Sequence, residues 1–164
     1  MGKKEVTKEK ALERMAGLCS RSEQCEHDIL RKLFNLGIKR EDREFIISYL
    51  RENRYIDDDR FARSFVNDKA RFAHWGPGKI RLELSRRKVS RESIKQALES
   101  VGQEVWKEGL LKNAESKSKN LDLTGETGYE NRQKLFRYLL SRGFSSSNAG
   151  KATELMKRRQ QEQG

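Results

Sequence analysis

The chain has few of the residues that stiffen or cross-link a backbone. Its 164 residues include one proline and two cysteines. Two cysteines are too few for the disulfide framework of a small secreted domain, so we expect both thiols to be reduced. No run approaches the roughly 18 apolar residues of a membrane-spanning helix, and the start of the sequence lacks the apolar core of a secretion signal. These absences predict a cytoplasmic protein without a membrane segment.

Motifs for catalysis, metals and cofactors are also missing. No Walker phosphate loop is present. Cys19, Cys25 and His27 have irregular spacing for zinc and no evident fourth ligand, and Cys19 falls on an apolar stripe, which favours a thiol in the core. The residues Asp57–Asp59 could suggest a Mg²⁺ cluster, but capping of a helix start explains them without a cation. We therefore predict a non-enzymatic chain with no catalytic residue, metal or cofactor.

Charge is what the sequence has in excess. Charged residues make up 37% of the chain, and the formal net charge is +11. The excess amounts to +3 over residues 1–56, +4 over 57–102 and +4 over 103–164. Because it is spread evenly, no single basic tail explains it. An acidic partner, either nucleic acid or an acidic protein surface, is indicated.

Three passages of the sequence align with one another as helix-turn-helix units. They are DILRKLFNLGIKRED, KIRLELSRRKVSRES and KLFRYLLSRGFSSSN. Apolar landmarks recur after 51 and then 55 residues: Leu33, Leu84 and Leu139; Ile38, Val89 and Phe144; Leu50, Val101 and Met156. This recurrence indicates internal duplication, in which each short unit needs neighbours to bury its apolar stripe.

A further helix before each aligned pair gives three helices per repeat. Apolar spacing predicts helices near residues 7–19, 23–36 and 40–53, then 58–73, 77–87 and 91–100, then 104–119, 129–141 and 146–158. The fold class is therefore all-α, with tandem three-helix repeats at 1–56, 57–102 and 103–164. A hydrophobic content of 34% fits an elongated or modular body better than a single compact core.

The turns inside the repeats support the alignment independently of hydrophobic spacing. Gly37 and Gly143 follow the middle helices, where a left-handed residue satisfies free carbonyls. Ser90 and Ser145 are natural N-caps for the helices that come next. Lys88 replaces the glycine in the second repeat, so either that turn differs or it carries modest strain.

A dense run of cations lies in the second repeat. From Lys69 to Arg91 there are eight cations and a single acid, Glu83. On the middle helix, Lys79 and Arg86 lie seven residues apart on a stripe that faces away from the apolar side. Any one of these cations could be part of a solvated face, but the excess in every repeat favours binding for the cluster.

We nominate two clusters to contact phosphate or an acidic surface rather than base edges. The first comprises Arg71, Lys79, Arg81, Arg86, Arg87, Lys88 and Arg91, and the second comprises Lys157, Arg158 and Arg159. His74 and Trp75 adjoin the first cluster, and Trp75 could stack on a base or a partner. Packing is the favoured interpretation of Trp75, because a tryptophan that closes a helical turn is usually part of the fold.

The second repeat also carries an ordered set of motifs. An aspartate pair precedes Arg-Phe-Ala, a Gly-Pro step follows, and a basic Ile-x-x-Glu-Leu helix comes next. The residues of the set are Asp57, Asp58, Arg60, Phe61, Ala62, Gly76, Pro77, Ile80, Glu83 and Leu84. In this set the chain resembles the RecX family of bacterial recombinase regulators, and the three-helix repeats extend the resemblance across nearly the whole chain. The resemblance implies an all-helical, elongated and curved array of three repeats.

The resemblance also implies a function. Members of the family bind RecA and its nucleoprotein filament as well as DNA, and limit RecA strand exchange, ATPase and coprotease activity in recombination and the SOS response. They are not expected to catalyse a reaction, and we expect a monomer. The alternative is a general basic helical DNA-binding protein acting without RecA, because three-helix units with a helix-turn-helix pair are common in DNA recognition.

Overall fold

The computed structural model describes residues 5–164, which form nine α-helices and no strand. The first three helices are α1 (Lys8–Arg21), α2 (Glu26–Asn35) and α3 (Arg40–Glu52). The next three are α4 (Asp58–Arg71), α5 (Pro77–Arg86) and α6 (Arg91–Glu99). The last three are α7 (Gln103–Ser118), α8 (Gly128–Ser141) and α9 (Ser146–Gln163). The all-α fold class is confirmed, and every predicted helix has its counterpart.

The chain folds into two compact units. The first contains the residues up to Ser64 together with Leu84–Lys95, and the second contains Phe65–Glu83 together with Gln96–Gly164. Their limits fall inside α4, α5 and α6, so they do not coincide with the predicted repeats. The repeats are defined by recurring sequence landmarks, and their boundaries at 1–56, 57–102 and 103–164 remain a prediction. The first four residues of the first repeat lie outside the described residues.

All nine apolar landmarks of the alignment are buried, with relative exposures of 6% or less. In the first unit, α1, α2 and α3 enclose a core that includes Ile29, Leu33 and Leu50. In the second unit, α7, α8 and α9 enclose Leu135, Leu139 and Met156. Burial of aliphatic side chains contributes about 25 cal/mol per Å², so these positions stabilise the helices more than intrinsic propensity does.

Each middle helix ends in the same hydrogen-bonded turn, a Schellman motif. In this motif a backbone N–H donates to the carbonyl five residues earlier. The donor and acceptor residues are Ile38 and Leu33 (N to O 3.1 Å), Val89 and Leu84 (3.2 Å), and Phe144 and Leu139 (3.2 Å). The residue before each of these donors is left-handed, with φ of 76° at Gly37, 59° at Lys88 and 98° at Gly143. The left-handed glycine caps are confirmed. At Lys88 the turn has the same geometry, so a lysine adopts a left-handed backbone conformation that is strained for a residue with a side chain.

Replacing Lys88 with glycine should raise the stability of the protein. A side chain in the left-handed region costs about 1 kcal/mol, which glycine avoids. Because glycine also gains entropy in the unfolded chain, we expect Lys88→Gly to raise the free energy of unfolding by about 0.5 kcal/mol. Urea denaturation of both proteins measures the difference, and an unchanged or lower midpoint would contradict the expectation.

In the second unit, the start of α5 lies directly on the turn between α8 and α9. The N–H of Gly76 donates to the Arg142 carbonyl at 2.7 Å, and the N–H of Gly78 donates to the Gly143 carbonyl at 2.9 Å. A Cβ at Gly76 would lie 2.4 Å from the Gly143 carbonyl carbon. The Gly-Pro step therefore serves backbone-to-backbone docking, which requires glycine on both sides.

A buried asparagine joins three segments of the second unit: α7, the chain that follows α4 and the end of α8. Asn113, on α7, is 6% exposed. Its side-chain nitrogen donates to the carbonyls of His74 and Gly109, both at 2.7 Å, and its side-chain oxygen accepts from Arg142 Nε at 3.0 Å. Arg142 also donates through Nη2 to the Ala73 carbonyl at 2.6 Å. This network satisfies backbone groups at the end of α4, where His74 is left-handed with φ of 54°.

Candidate nucleic-acid and protein interface

The aspartates that precede Arg-Phe-Ala cap two different helices. Asp57 accepts from the N–H of Arg60 at 3.0 Å and caps its own helix, α4. Asp58 accepts from the N–H of Glu26 at 3.0 Å, at the start of α2, where the N-cap Cys25 makes no side-chain bond. Burial raises the pKa of the Asp58 carboxyl, whereas the hydrogen bond from Glu26 lowers it. The predicted capping is confirmed for Asp57, whereas Asp58 caps α2, a helix distant in sequence, and Asp59 bonds to a side chain instead.

The remaining charged residues of this segment also bind within the first unit. Asp59 accepts from the hydroxyl of Ser93. Ser90 Oγ accepts from the N–H of Ser93 at 3.1 Å, so Ser90 caps α6 as expected. Arg60 donates from Nε to Glu23 Oε1 at 2.6 Å. These contacts hold α4 against its neighbours and give the acidic residues a structural role.

Within residues 5–164, no three His, Cys, Asp or Glu side chains converge as metal ligands. Cys25 is buried, and burial raises the pKa of its thiol to about 12. Cys19 is half-buried against the core of the first unit, and burial raises the pKa of its thiol as well. The placement of Cys19 against the core is confirmed. Both thiols are held in the neutral form, which is a poor nucleophile and metal ligand.

Trp75 packs within the second unit. Its ring meets Phe65 edge to face, with centroids 6.3 Å apart. The ammonium groups of Lys69 and Lys79 lie 5.0 Å and 4.2 Å from the Trp75 ring centroid. These contacts support the packing interpretation. They also place Lys79, a nominated contact residue, over an aromatic ring of its own unit.

Four nominated cations lie in the first unit, around the start of α6. Arg86, Lys88 and Arg91 are exposed. Arg87 is half-buried, and its Nε lies 3.2 Å from Asp28 Oδ2 on α2. The positive end of the α6 dipole lies at the same turn and adds to the attraction for an anion. The three exposed cations are thus within one six-residue segment that spans the turn from the end of α5 to the start of α6.

The other six nominated cations lie in the second unit. Lys157 and Arg159 form ion pairs on or beside α9, at 3.9 Å from Glu154 and 2.8 Å from Glu115. Lys79 lies over Trp75, as described above. Three are exposed: Arg71, Arg81 and Arg158. Arg71 also donates from Nε to Asn67 Oδ1 at 3.2 Å, so four of these six cations have a contact within their own unit.

Two exposed apolar side chains near these cations were not singled out from the sequence. Phe72 is 79% exposed and Leu82 is 51% exposed. Spacing gave a signal for Leu82, which follows Lys79 by one turn of α5, but not for Phe72, which has the spacing of the apolar stripe of α4 and lies just beyond the end of that helix. A surface that mixes cations with exposed apolar groups suits a protein partner as well as phosphate.

Comparison with known proteins gives a consistent set of matches. A family model described as "RecX, second three-helix domain" matches residues 57–98. Regulatory protein RecX of Clostridium botulinum (strain Alaska E43 / Type E3) is 37% identical over 112 residues, which is 66% of this chain and 52% of that protein. Regulatory protein RecX of Limosilactobacillus reuteri (strain DSM 20016) is 33% identical over 138 residues, 84% of this chain and 52% of that protein. The chain spans about half the length of the curated relatives it matches.

Solved structures match over most of the chain. A crystal structure of a regulatory protein RecX has a TM-score of 0.77 and 30% identity, covering 92% of this chain and 71% of that one. The structure of RecX from Lactobacillus salivarius has a TM-score of 0.75 at 21% identity, covering 91% of this chain and 96% of that one, and shows a shared fold. In the part of the chain that the structure describes, no helix has the length and apolarity to cross a bilayer.

Proposed function

Because this chain belongs to the RecX family of regulatory proteins, we propose that it is a non-enzymatic regulator that binds RecA and the RecA nucleoprotein filament. It limits RecA recombinase, ATPase and coprotease activity in recombination and SOS DNA repair. The observation that carries the proposal is the group of exposed cations, Arg86, Lys88 and Arg91, in and beside the turn between α5 and α6.

Electrostatic attraction supports this assignment. A filament on DNA presents phosphate groups along a helical groove, and each cation that meets a phosphate releases a condensed counterion. Lys88 and Arg91 lie at the positive end of α6, where the helix dipole acts in the same direction as their charges. The contacts would be with phosphate or carboxylate groups, which position the protein without reading sequence.

The mechanism we favour is competition for the filament groove. A basic helical body anchored there would occupy the place of a second DNA strand and hinder the addition of RecA protomers. Exposed apolar groups such as Phe72 and Leu82 give the second unit a surface for protein contact. No chemical step is required of the chain itself, in keeping with a regulatory protein.

The test reverses two cations whose replacement leaves the fold intact. Lys88→Glu keeps a side chain at the same left-handed residue, and Arg91→Glu places an acid in the first turn of α6, where the dipole favours it. We expect the double variant to need about tenfold more protein for half-inhibition of RecA ATPase on single-stranded DNA. Lys79 and Arg87 are less suitable, because they contact Trp75 and Asp28.

A matched control carries the same change in net charge elsewhere. Lys134 on α8 and Lys151 on α9 are exposed and lie outside the nominated clusters. Lys134→Glu with Lys151→Glu should retain most of the inhibition. If the Lys88 and Arg91 variant inhibits as strongly as the unaltered protein at physiological salt, the assignment of this surface is wrong.

Binding to naked DNA at the same salt separates this proposal from the alternative. A filament regulator inhibits RecA at concentrations well below those at which it binds free single-stranded DNA. A general DNA-binding protein acting without RecA would bind free DNA at least as tightly as it inhibits, with a steep dependence on salt.

A further inference from the structure

A groove between α1 and α2 of the first unit is lined by positive charge in addition to the two nominated clusters. Its volume is about 980 Å³, and four of its lining residues are cations: Lys10, Arg14, Arg21 and Lys32. Glu13 is the single acid in the lining. Among residues 5–164, none of these four cations forms an ion pair. None of them belongs to the clusters nominated from the sequence.

The floor of this groove is apolar. Met15 and Leu18 line it from α1, and Leu36 lines it from the end of α2. Leu18 and Leu36 are half-buried against the core, so part of each side chain is open to the groove. A cationic rim over an apolar floor differs from the exposed cations Arg86, Lys88 and Arg91, which lie in and beside the turn between α5 and α6.

Gly17 keeps the groove open. It lies in the interior of α1 and lines the groove. A Cβ built there would meet only Arg21 Nη1, at 3.8 Å, so packing does not demand a glycine. Glycine within a helix costs about 1 kcal/mol relative to alanine. Close packing therefore does not explain why α1 has a glycine at this position. The glycine leaves the groove free of a side chain there.

The geometry points to a docking site for an acidic amphipathic helix of a partner protein. Leucines on one face of such a helix would lie on Leu18 and Leu36, and carboxylates along its flanks would meet the cations of the rim. Single-stranded nucleic acid fits less well, because the lining offers no aromatic ring on which a base could stack. The groove shares no residue with the nominated clusters, so its binding can be tested separately from RecA inhibition.

The test uses two substitutions of one residue in the full chain. Gly17→Leu fills the groove, whereas Gly17→Ala adds one methyl group and leaves it open. Both should raise the thermal midpoint, because both residues favour a helix more than glycine does. The probe is a fluorescein-labelled helical peptide with leucine on one face and glutamate on the other, measured by anisotropy. A second peptide, with serine in place of leucine, tests whether binding depends on the apolar floor of the groove. Fluorescein-labelled oligo(dT) tests whether the groove binds nucleic acid.

We expect the unaltered protein and Gly17→Ala to bind the leucine peptide alike, and Gly17→Leu to bind it at least about tenfold more weakly. The serine peptide should bind weakly to all three. Equal peptide binding by the leucine and alanine variants would overturn the proposal, as would no peptide binding at all. Loss of oligo(dT) binding rather than peptide binding in Gly17→Leu would assign the groove to nucleic acid instead. RecA inhibition should be the same for all three proteins, so the outcome is separable from that of the RecA assay.

Discussion

Gly143→Ala should destabilise the second unit by about 2 to 6 kcal/mol. Two costs combine at this residue. Its φ of 98° is a conformation that a side chain rarely adopts, worth about 1 to 3 kcal/mol. An added Cβ would also lie 2.5 Å from the Lys79 backbone nitrogen and 2.7 Å from the Gly76 carbonyl oxygen, and overpacking against backbone costs about 1 to 3 kcal/mol. Urea denaturation followed by circular dichroism measures the loss.

Gly37→Ala is the matched control, because it changes the same position of the same turn in the first repeat. The φ of Gly37 is 76°, but nothing lies within 4 Å of a Cβ built there. Only the conformational cost remains, so we expect a loss of about 1 kcal/mol. Equal effects of the two substitutions would show that the close approach of α5 to the α8–α9 turn contributes little to stability.

Asn113→Ala should lower the free energy of unfolding by about 2 to 4 kcal/mol. Alanine removes the partner of Arg142 Nε and of the His74 carbonyl, at a residue that is 6% exposed. Buried polar groups that lose their partners cost about 1 to 3 kcal/mol each, and a charged group costs more. Because a water molecule can replace part of the lost bonding, we expect less than the full effect of both groups.

The control for this network is Asn120→Ala. Asn120 is exposed after the end of α7, and its replacement should change the free energy of unfolding by less than about 0.5 kcal/mol. The informative comparison is the temperature of unfolding of the two variants at one pH. If Asn113→Ala unfolds within a degree or two of Asn120→Ala, the network is not a significant source of stability.

The helices could be predicted from the sequence because their signals are local. Apolar spacing and caps placed most boundaries within a few residues of those observed, and Ser90 and Ser145 cap α6 and α9 as expected. The prediction that α9 ends near Arg158 was wrong, since the helix continues to Gln163. Its last turns are rich in glutamine and glutamate, which favour helix and supply no stop signal.

Long-range contacts could not be predicted in this way. Nothing near Asp58 in the sequence indicates that it caps α2, because its partner lies 32 residues earlier. Likewise, the nominated cations look alike in the sequence. Only the fold separates Arg87, which lies beside Asp28, from Arg91, which is exposed. The groove beside Gly17 depends on how α1 and α2 lie around their core, and a single glycine in a helix does not predict it.

The strain at Lys88 makes that residue a point where folding and binding favour opposite choices. Glycine would suit the backbone, as it does at the corresponding turns of the other repeats, but would remove a charge beside the N-terminus of α6. A protein selected for stability alone would have no reason to keep lysine there. Lys88→Gly should therefore yield a more robust protein that is a weaker RecA inhibitor. Such opposite responses to one substitution would distinguish a residue retained for partner binding from one that is merely tolerated.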